Sequence, residues 1–368
     1  MEKNAKIIGL PKARAIAFYL PQFHPIPEND VWWEPGFTEW TNVSRAKPLY
    51  AGHAQPKHPA DLGYYDLRVP EVRQAQAALA KEAGIEGFCY WHYWFGNNRK
   101  VLERPLKEVL ESGDPNFPFC ICWANESWTG VWHGASDRIL IEQTYPGEED
   151  YKSYFQDLLT YFRDKRYIRV DGKPLFVVYS PQNLPNANEF TKLFQQWAIE
   201  AGLPGLYLVS LAKNPAHLAW GFQAFGSKPP GAYIGQLVKG SWWRRRVLYR
   251  QRGLRQWKWK GLKVFNYQHF VDAELEKPLH SGELPVVVPN WDNTPRSGRN
   301  GLVLEHATPE AFGRYLRKMI ELVQNRPEQE RIVFIKAWNE WAEGNYLEPD
   351  KQYGRERLKV CRESILSE

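Results

Sequence analysis

Close to its C-terminus the sequence runs IVFIKAWNEWAEGNYLEPD, residues 332 to 350, which sets Glu340, Glu343 and Glu348 beside Trp338, Asn339 and Trp341 directly after an apolar stretch, 332–337. Glu340 and Glu343 are three residues apart, and on a helical turn their Cβ atoms would lie about 5–6 Å from each other. Two carboxyl groups that close cannot both ionise freely. Burial against Trp338 and Trp341 penalises the charged form further, so one pKa rises. One acid and one base is the apparatus of glycosidic-bond cleavage. Two glutamates on a solvated loop would do nothing of the kind; the reading rests on their place after a buried strand, between tryptophans and next to the amide of Asn339. Glu340 and Glu343 are the candidate catalytic residues, and Gly344 lets the chain turn away behind them.

Other polar and aromatic clusters could hold the sugar. CWANESW places Asn125 and Glu126 between tryptophans, with Trp128 just beyond. Both side chains can exchange hydrogen bonds with hydroxyls, although Asn125 could equally cap a helix. Tyr19, Trp40, Trp91, Tyr93, Trp291 and Asp292 are further candidates for substrate contact, as are Trp338, Asn339 and Trp341. His24 and His92 stand either as hydrogen-bonded scaffold or as ligands of the substrate. The chain is rich in rings, with 17 Trp, 19 Tyr and 18 Phe, and an aromatic face packs well against the polarised C–H face of a sugar. His24, His53, His58 and His92 have no metal-ligand spacing, so no metal is expected. GxSxG, GxxxxGK[ST], GxGxxG and DxD are all missing, and no cofactor is expected.

What must position these groups is a series of alternating elements. Apolar β-rich runs occur at 15–20, 87–94, 117–124, 174–179, 205–211, 222–225, 284–288 and 332–338, with helix-like spacing at 70–83, 101–112, 148–165, 188–201 and 309–325 between them. Boundary signals agree: Asn186 or Asn188 before a helix, Thr308-Pro309-Glu310 at another start, Gly84 and Gly202 past two ends. Eight strand-then-helix units predict a single (β/α)₈ barrel over residues 1–368. The candidate residues fall at C-terminal strand ends (19–24, 91–93, 123–128, 179–180, 290–292, 338–343), which converge on one face only if the sheet is closed. Two insertions interrupt the pattern. Residues 24–68 would overhang the site. Residues 236–263 include GSWWRRRVLYRQRGLRQWKWKG (240–261), which has no acidic residue: it is either a solvated basic loop or a docking surface for an anionic glycan or membrane headgroups, centred on 239–263.

Composition sets outer limits. A net charge of +6 on 368 residues does not call for nucleic acid as a partner. Four cysteines, at 89, 120, 122 and 361, form no CxxC and read as reduced structural thiols. The start, MEKNAKIIGLPKARAIAFYL, lacks a signal peptide's continuous apolar region, and no run is long enough for a bilayer span, so a cytoplasmic location is expected.

AIAFYLPQFHPIPENDVWWEPGFTEWTNVSRAKPLY, HPADLGYYDLR, GFCYWHYWF, FCICWANESWT and KAWNEWAEGNYLEPD resemble, across nearly the whole chain, the WbsX-like family of polysaccharide (O-antigen and capsule) gene clusters, often labelled glycosyltransferase. That family is in turn similar to glycoside hydrolase family 99, the endo-α-mannosidases and endo-α-mannanases, which are (β/α)₈ barrels with an NEWxEG motif after the last strand; residues 339–344 match it. The resemblance implies that Glu340 is a base acting on a sugar 2-hydroxyl to give a 1,2-anhydro intermediate, and that Glu343 is the acid and base at the glycosidic oxygen. Ala342 stands where the endo-mannosidases commonly have His, so mannose specificity is not implied. The expected activity is a metal-independent glycoside hydrolase, retaining and endo-acting, on a bacterial surface polysaccharide or its precursor. The alternatives are a glycosyltransferase or transglycosylase of polysaccharide assembly and a non-catalytic carbohydrate-binding barrel.

Overall fold

The computed structural model of the chain describes residues 10–130, 138–231 and 261–367. Eight strands form its centre: β1 Arg14–Tyr19, β2 Gly87–Trp94, β3 Phe119–Trp123, β4 Lys173–Val178, β5 Tyr207–Ser210, β6 Ala224–Gly226, β7 as Glu283–Leu284 and Val286–Val287, and β8 Ile332–Ile335. Each pairs in parallel with the next. The first half of β7 pairs with β6, the second half with β8, and β8 pairs with β1. The sheet therefore closes as a (β/α)₈-type barrel. Strands covered on both faces need apolar residues at every position rather than alternation, and all eight residues of β2, GFCYWHYW, are buried.

Helices pack outside: α1 Pro70–Glu82, α2 Arg104–Ser112, α3 Glu148–Phe162, α4 Ala187–Glu200, α5 Tyr267–Leu275, α6 Pro309–Val323 and α7 Glu356–Ile365. The short 3₁₀ turn Pro215–Trp220 connects β5 to β6. α6 shows why such segments are helical. The Thr308 hydroxyl accepts from the Ala311 amide, Pro309 opens the first turn, and Phe312, Tyr315, Leu316, Met319, Ile320 and Val323 recur at helical spacing on the buried face. The four cysteines are free and buried.

The first insertion, 24–68, carries two short helices, Pro27–Trp32 and Glu39–Arg45. It is clamped onto the mouth of the barrel. Trp40 donates its indole N–H to the Tyr65 carbonyl at 2.8 Å and packs on Trp341, with ring centroids 5.4 Å apart. Of the basic insertion 236–263, all but the last three residues lies outside the described residues. Among the described residues no helix is long and apolar enough to cross a membrane.

Candidate active site

β8 ends at Ile335, and the chain runs on over the barrel mouth. Asn339–Glu340 pairs antiparallel with Asn345–Tyr346 around the 3₁₀ turn Trp341–Glu343. That turn is closed by Gly344 at φ +61°, where a Cβ would meet the Asp292 backbone nitrogen at 2.6 Å, so only glycine fits for both reasons. Two glutamates three apart on this tight turn look into one cavity of about 340 Å³, whose wall includes Trp91, Tyr93, Glu126, Trp128, Tyr179, Arg296, Lys336, Glu340 and Glu343.

The two carboxyl groups have different surroundings. Trp91 donates its indole N–H to Glu340 Oε1 at 2.5 Å. The Asn345 amide lies 3.2 Å from Oε2, placed to donate to the carboxylate or to accept from the acid. Glu343 Oε1 takes one arm of the Arg296 guanidinium at 2.6 Å, while the other arm holds Glu39 Oε1, also at 2.6 Å. Lys336 Nζ stands between the pair, 3.8 Å from Glu340 and 3.6 Å from Glu343. Burial, only partly offset by Lys336, drives the Glu340 pKa up, and the Glu343 carboxylate adds to the rise, to about 7. Glu343 feels the same burial, but Lys336 and Arg296 outweigh it and lower its pKa to about 2. Below about pH 7 the pair holds one proton, and Glu340 carries it.

Strand periodicity decides where the other candidates lie. Trp91 and Tyr93 alternate inward along β2, Trp91 stacked on Phe18 at 4.7 Å and edge-on to Tyr179 at 5.3 Å. Trp128 meets Tyr93 edge-on at 5.1 Å and is met by Trp32 of the insertion at 5.8 Å. Glu126 joins the wall from the loop after β3; behind it Lys228 reaches Ser180 Oγ at 2.7 Å.

Several expected contacts are corrected. Tyr19 follows Phe18 and so faces the opposite side of the sheet, donating its hydroxyl to Gln76 of α1 at 2.6 Å. His92 follows Trp91 and faces α3, where it pairs with the Tyr154 hydroxyl at 3.0 Å; burial lowers its pKa to about 4 and keeps it neutral. Trp338 has no exposed surface and packs on Phe88. His24 is buried against the Pro21 carbonyl. Asn125 and Asn339 are clamps: each exchanges two hydrogen bonds with a neighbouring backbone, that of Ser180 and of Leu20 respectively. Trp40 and Trp341 fasten the insertion. Asp292 accepts from Gln55 and Thr294, both at 2.6 Å, and pairs with His53 at 2.8 Å. Trp291 holds its ring 5.1 Å from Lys336 Nζ and, with Asp292, lines a second pocket instead of the cavity of the two glutamates.

Glu348 also belongs to the scaffold. Its carboxyl accepts from Trp341 Nε1 at 2.6 Å, Gln76 Nε2 at 2.7 Å and the Tyr65 hydroxyl at 3.0 Å. Burial outweighs these donors and raises its pKa to about 7 from 4.5. A native pKa above the unfolded one means the folded chain holds the proton more tightly, so this group's contribution to stability falls as pH rises from about 4.5 to 7, by up to about 3 kcal/mol. In Glu348→Gln the melting temperature is expected to vary less with pH across that interval than in the wild type.

Sequence reasoning did not single out Lys336, Arg296 or Glu39, and placed Tyr179 only within a strand-end cluster. Lys336 carried a signal, a cation directly after the last barrel strand; Glu39 and Arg296 are 257 residues apart and recognisable only as partners.

Among solved structures, the fold matches a "Glycoside hydrolase-like protein" (TM-score 0.59, 14% identity, 100% of this chain and 98% of that one) and the GH99 endo-alpha-mannosidase from Bacteroides thetaiotaomicron (TM-score 0.55, 15% identity, 95% of each). In sequence the chain is 38% identical over 357 residues to "Uncharacterized protein WxcX" of Xanthomonas campestris pv. campestris strain B100, covering 96% of this chain and 50% of that protein. A WxcX of strain ATCC 33913 is likewise 38% identical over 367 residues, 98% of this chain and 51% of that one. The chain thus spans about half the length of these relatives. The family described as "Glycosyltransferase WbsX" matches residues 15–361, and the chain belongs to that family.

Proposed function

We propose that this carbohydrate-active chain is a glycoside hydrolase that cleaves a bacterial surface polysaccharide or its precursor with Glu340 and Glu343, without a metal, endo-acting and with retention. The observation that carries the reading is the pair of carboxyl groups, with Lys336 between them and Arg296 on one of them, lining an aromatic-walled cavity. Glu340, holding the proton, gives it to the glycosidic oxygen as the bond to the anomeric carbon breaks. Glu343, kept ionised by Lys336 and Arg296, takes the proton of a neighbouring hydroxyl of the same sugar as that oxygen closes on the anomeric carbon. Glu340, now ionised, then takes a proton from the water that opens this ring, and Glu343 returns its proton to the freed oxygen, so two inversions give retention. This order is the reverse of the one implied by likeness to family 99. The reason is the Arg296 contact, which makes Glu343 the poorer proton donor.

A singly protonated pair active between its two apparent pKa values gives kcat/KM that holds up through mildly acid pH and falls above about 7, as Glu340 loses its proton. A profile still rising above pH 8 would remove Glu340 as the donor.

A second reading follows from the family's own description as a glycosyltransferase. The same pair would serve if a sugar hydroxyl replaced water as the acceptor. Purified protein incubated with bacterial O-polysaccharide and no nucleotide sugar separates the two. New reducing ends support hydrolysis, turnover only with a nucleotide- or lipid-linked donor supports transfer, and binding without turnover leaves a carbohydrate-binding barrel.

A further inference from the structure

Lys336 differs from the other buried cation of the site. Arg296 spends both arms of its fork on carboxylates at 2.6 Å. Lys336 is just as secluded, 9% exposed, yet its nearest carboxylate oxygens lie at 3.6 and 3.8 Å, ion-pair rather than hydrogen-bond distances. Among the described residues these two ion pairs are its contacts with carboxylates. The rings of Trp291 and Trp91, 5.1 and 5.9 Å away, attract its charge but accept none of its protons in ordinary hydrogen bonds. A lysine buried only to balance charge would be expected to settle onto a carboxylate at hydrogen-bond distance, the arrangement of strong charge-assisted pairs. This one lines the cavity instead.

We propose that Lys336 is a third catalytic residue: its ammonium donates hydrogen bonds to the substrate oxygen between the two glutamates and balances the negative charge that develops there. The proton stays on Nζ throughout. As Glu340 gives up its proton and Glu343 receives one, the negative charge passes from one carboxyl to the other, and an ammonium at similar distance from both accommodates it in either place. The inference rests on the glycosyl-cleaving reading above. It adds a side chain whose role does not depend on whether water or a sugar is the acceptor.

The charged and titratable groups facing Nζ are Glu340, Glu343, Tyr179, Arg296 and Lys228. Lys336→Met is compared with the wild type on purified bacterial O-polysaccharide, counting sugar released to water or transferred to an added oligosaccharide. The expected result is a loss of about 10²-fold in kcat with KM changed less than threefold. The alkaline limb of the pH profile should move upward, because both carboxyls lose a neighbouring cation, and Lys336→Arg should stay within about tenfold of wild type. Lys336→Gln replaces Lys336→Met should the latter fail to fold. A neutral variant with kcat within threefold of wild type and an unmoved profile overturns the role of Lys336 while leaving the hydrolase reading intact. A wild type that neither releases nor transfers sugar overturns both.

Discussion

Glu340→Gln and Glu343→Gln are each expected to lower kcat on a cleaved glycan by about 10²- to 10⁴-fold, the usual weight of a positioned acid or base, with substrate binding nearly unchanged. Glutamine at 340 mimics the protonated carboxyl, so the variant should fold as the wild type does and gain stability relative to it as pH rises from about 4.5 to 7, levelling off above that. The two variants differ in rescue. A glycosyl fluoride of the cleaved sugar departs without a proton, so the variant lacking the acid recovers turnover on it and the variant lacking the base does not. The assignment made above requires recovery by Glu340→Gln. Recovery by Glu343→Gln would restore the order implied by family 99, and unchanged turnover of either variant on polysaccharide would remove that residue from the chemistry.

The barrel was legible because parallel strands covered on both faces leave long apolar runs with nothing polar to confuse them, and because the polar clusters stood at their ends. Glu340 and Glu343 were legible because a short NEWAEG turn after such a run has nowhere to go but the barrel mouth. What failed was the choice of face. In GFCYWHYW every residue is aromatic, small or buried, so no contrast in polarity separates Trp91 and Tyr93, which look into the cavity, from His92, which looks toward α3. The same holds for Phe18 and Tyr19. Asn125 and Asn339 misled for another reason: an amide at a strand end can bind a sugar or tie two loops together, and only the position of Ser180 and Leu20 decides. The charge relay from Glu39 through Arg296 to Glu343 was beyond sequence reasoning altogether. Glu39 and Arg296 each read alone as solvated surface residues, and their burial becomes tolerable only through partners brought together by the closed barrel.

That relay carries the second large effect. Arg296→Met is expected to destabilise the fold by about 3–5 kcal/mol, the cost of leaving buried carboxylates without their cation. Glu39 is fully buried, and among the described residues its remaining donor is the Ala342 amide at 3.1 Å. Urea unfolding at pH 7 measures the loss, and unchanged stability would mean that the bridge contributes nothing net. Arg296→Lys should not rescue, because a single ammonium cannot span two carboxylates as the fork does. Adding Glu39→Gln removes the buried charge on the insertion side, so the double variant should recover much of the lost stability. Its chemistry should not recover. Glu343 would still lack the guanidinium that opposes its burial, its pKa would rise, and the acid limb of the pH profile would move up from about 2 toward the range where the pair is used. A double variant that regained both stability and the wild-type profile would show that Lys336 alone keeps Glu343 ionised. One that regained stability alone ties the first insertion, through Glu39 and Arg296, to the protonation state of the Glu340–Glu343 pair.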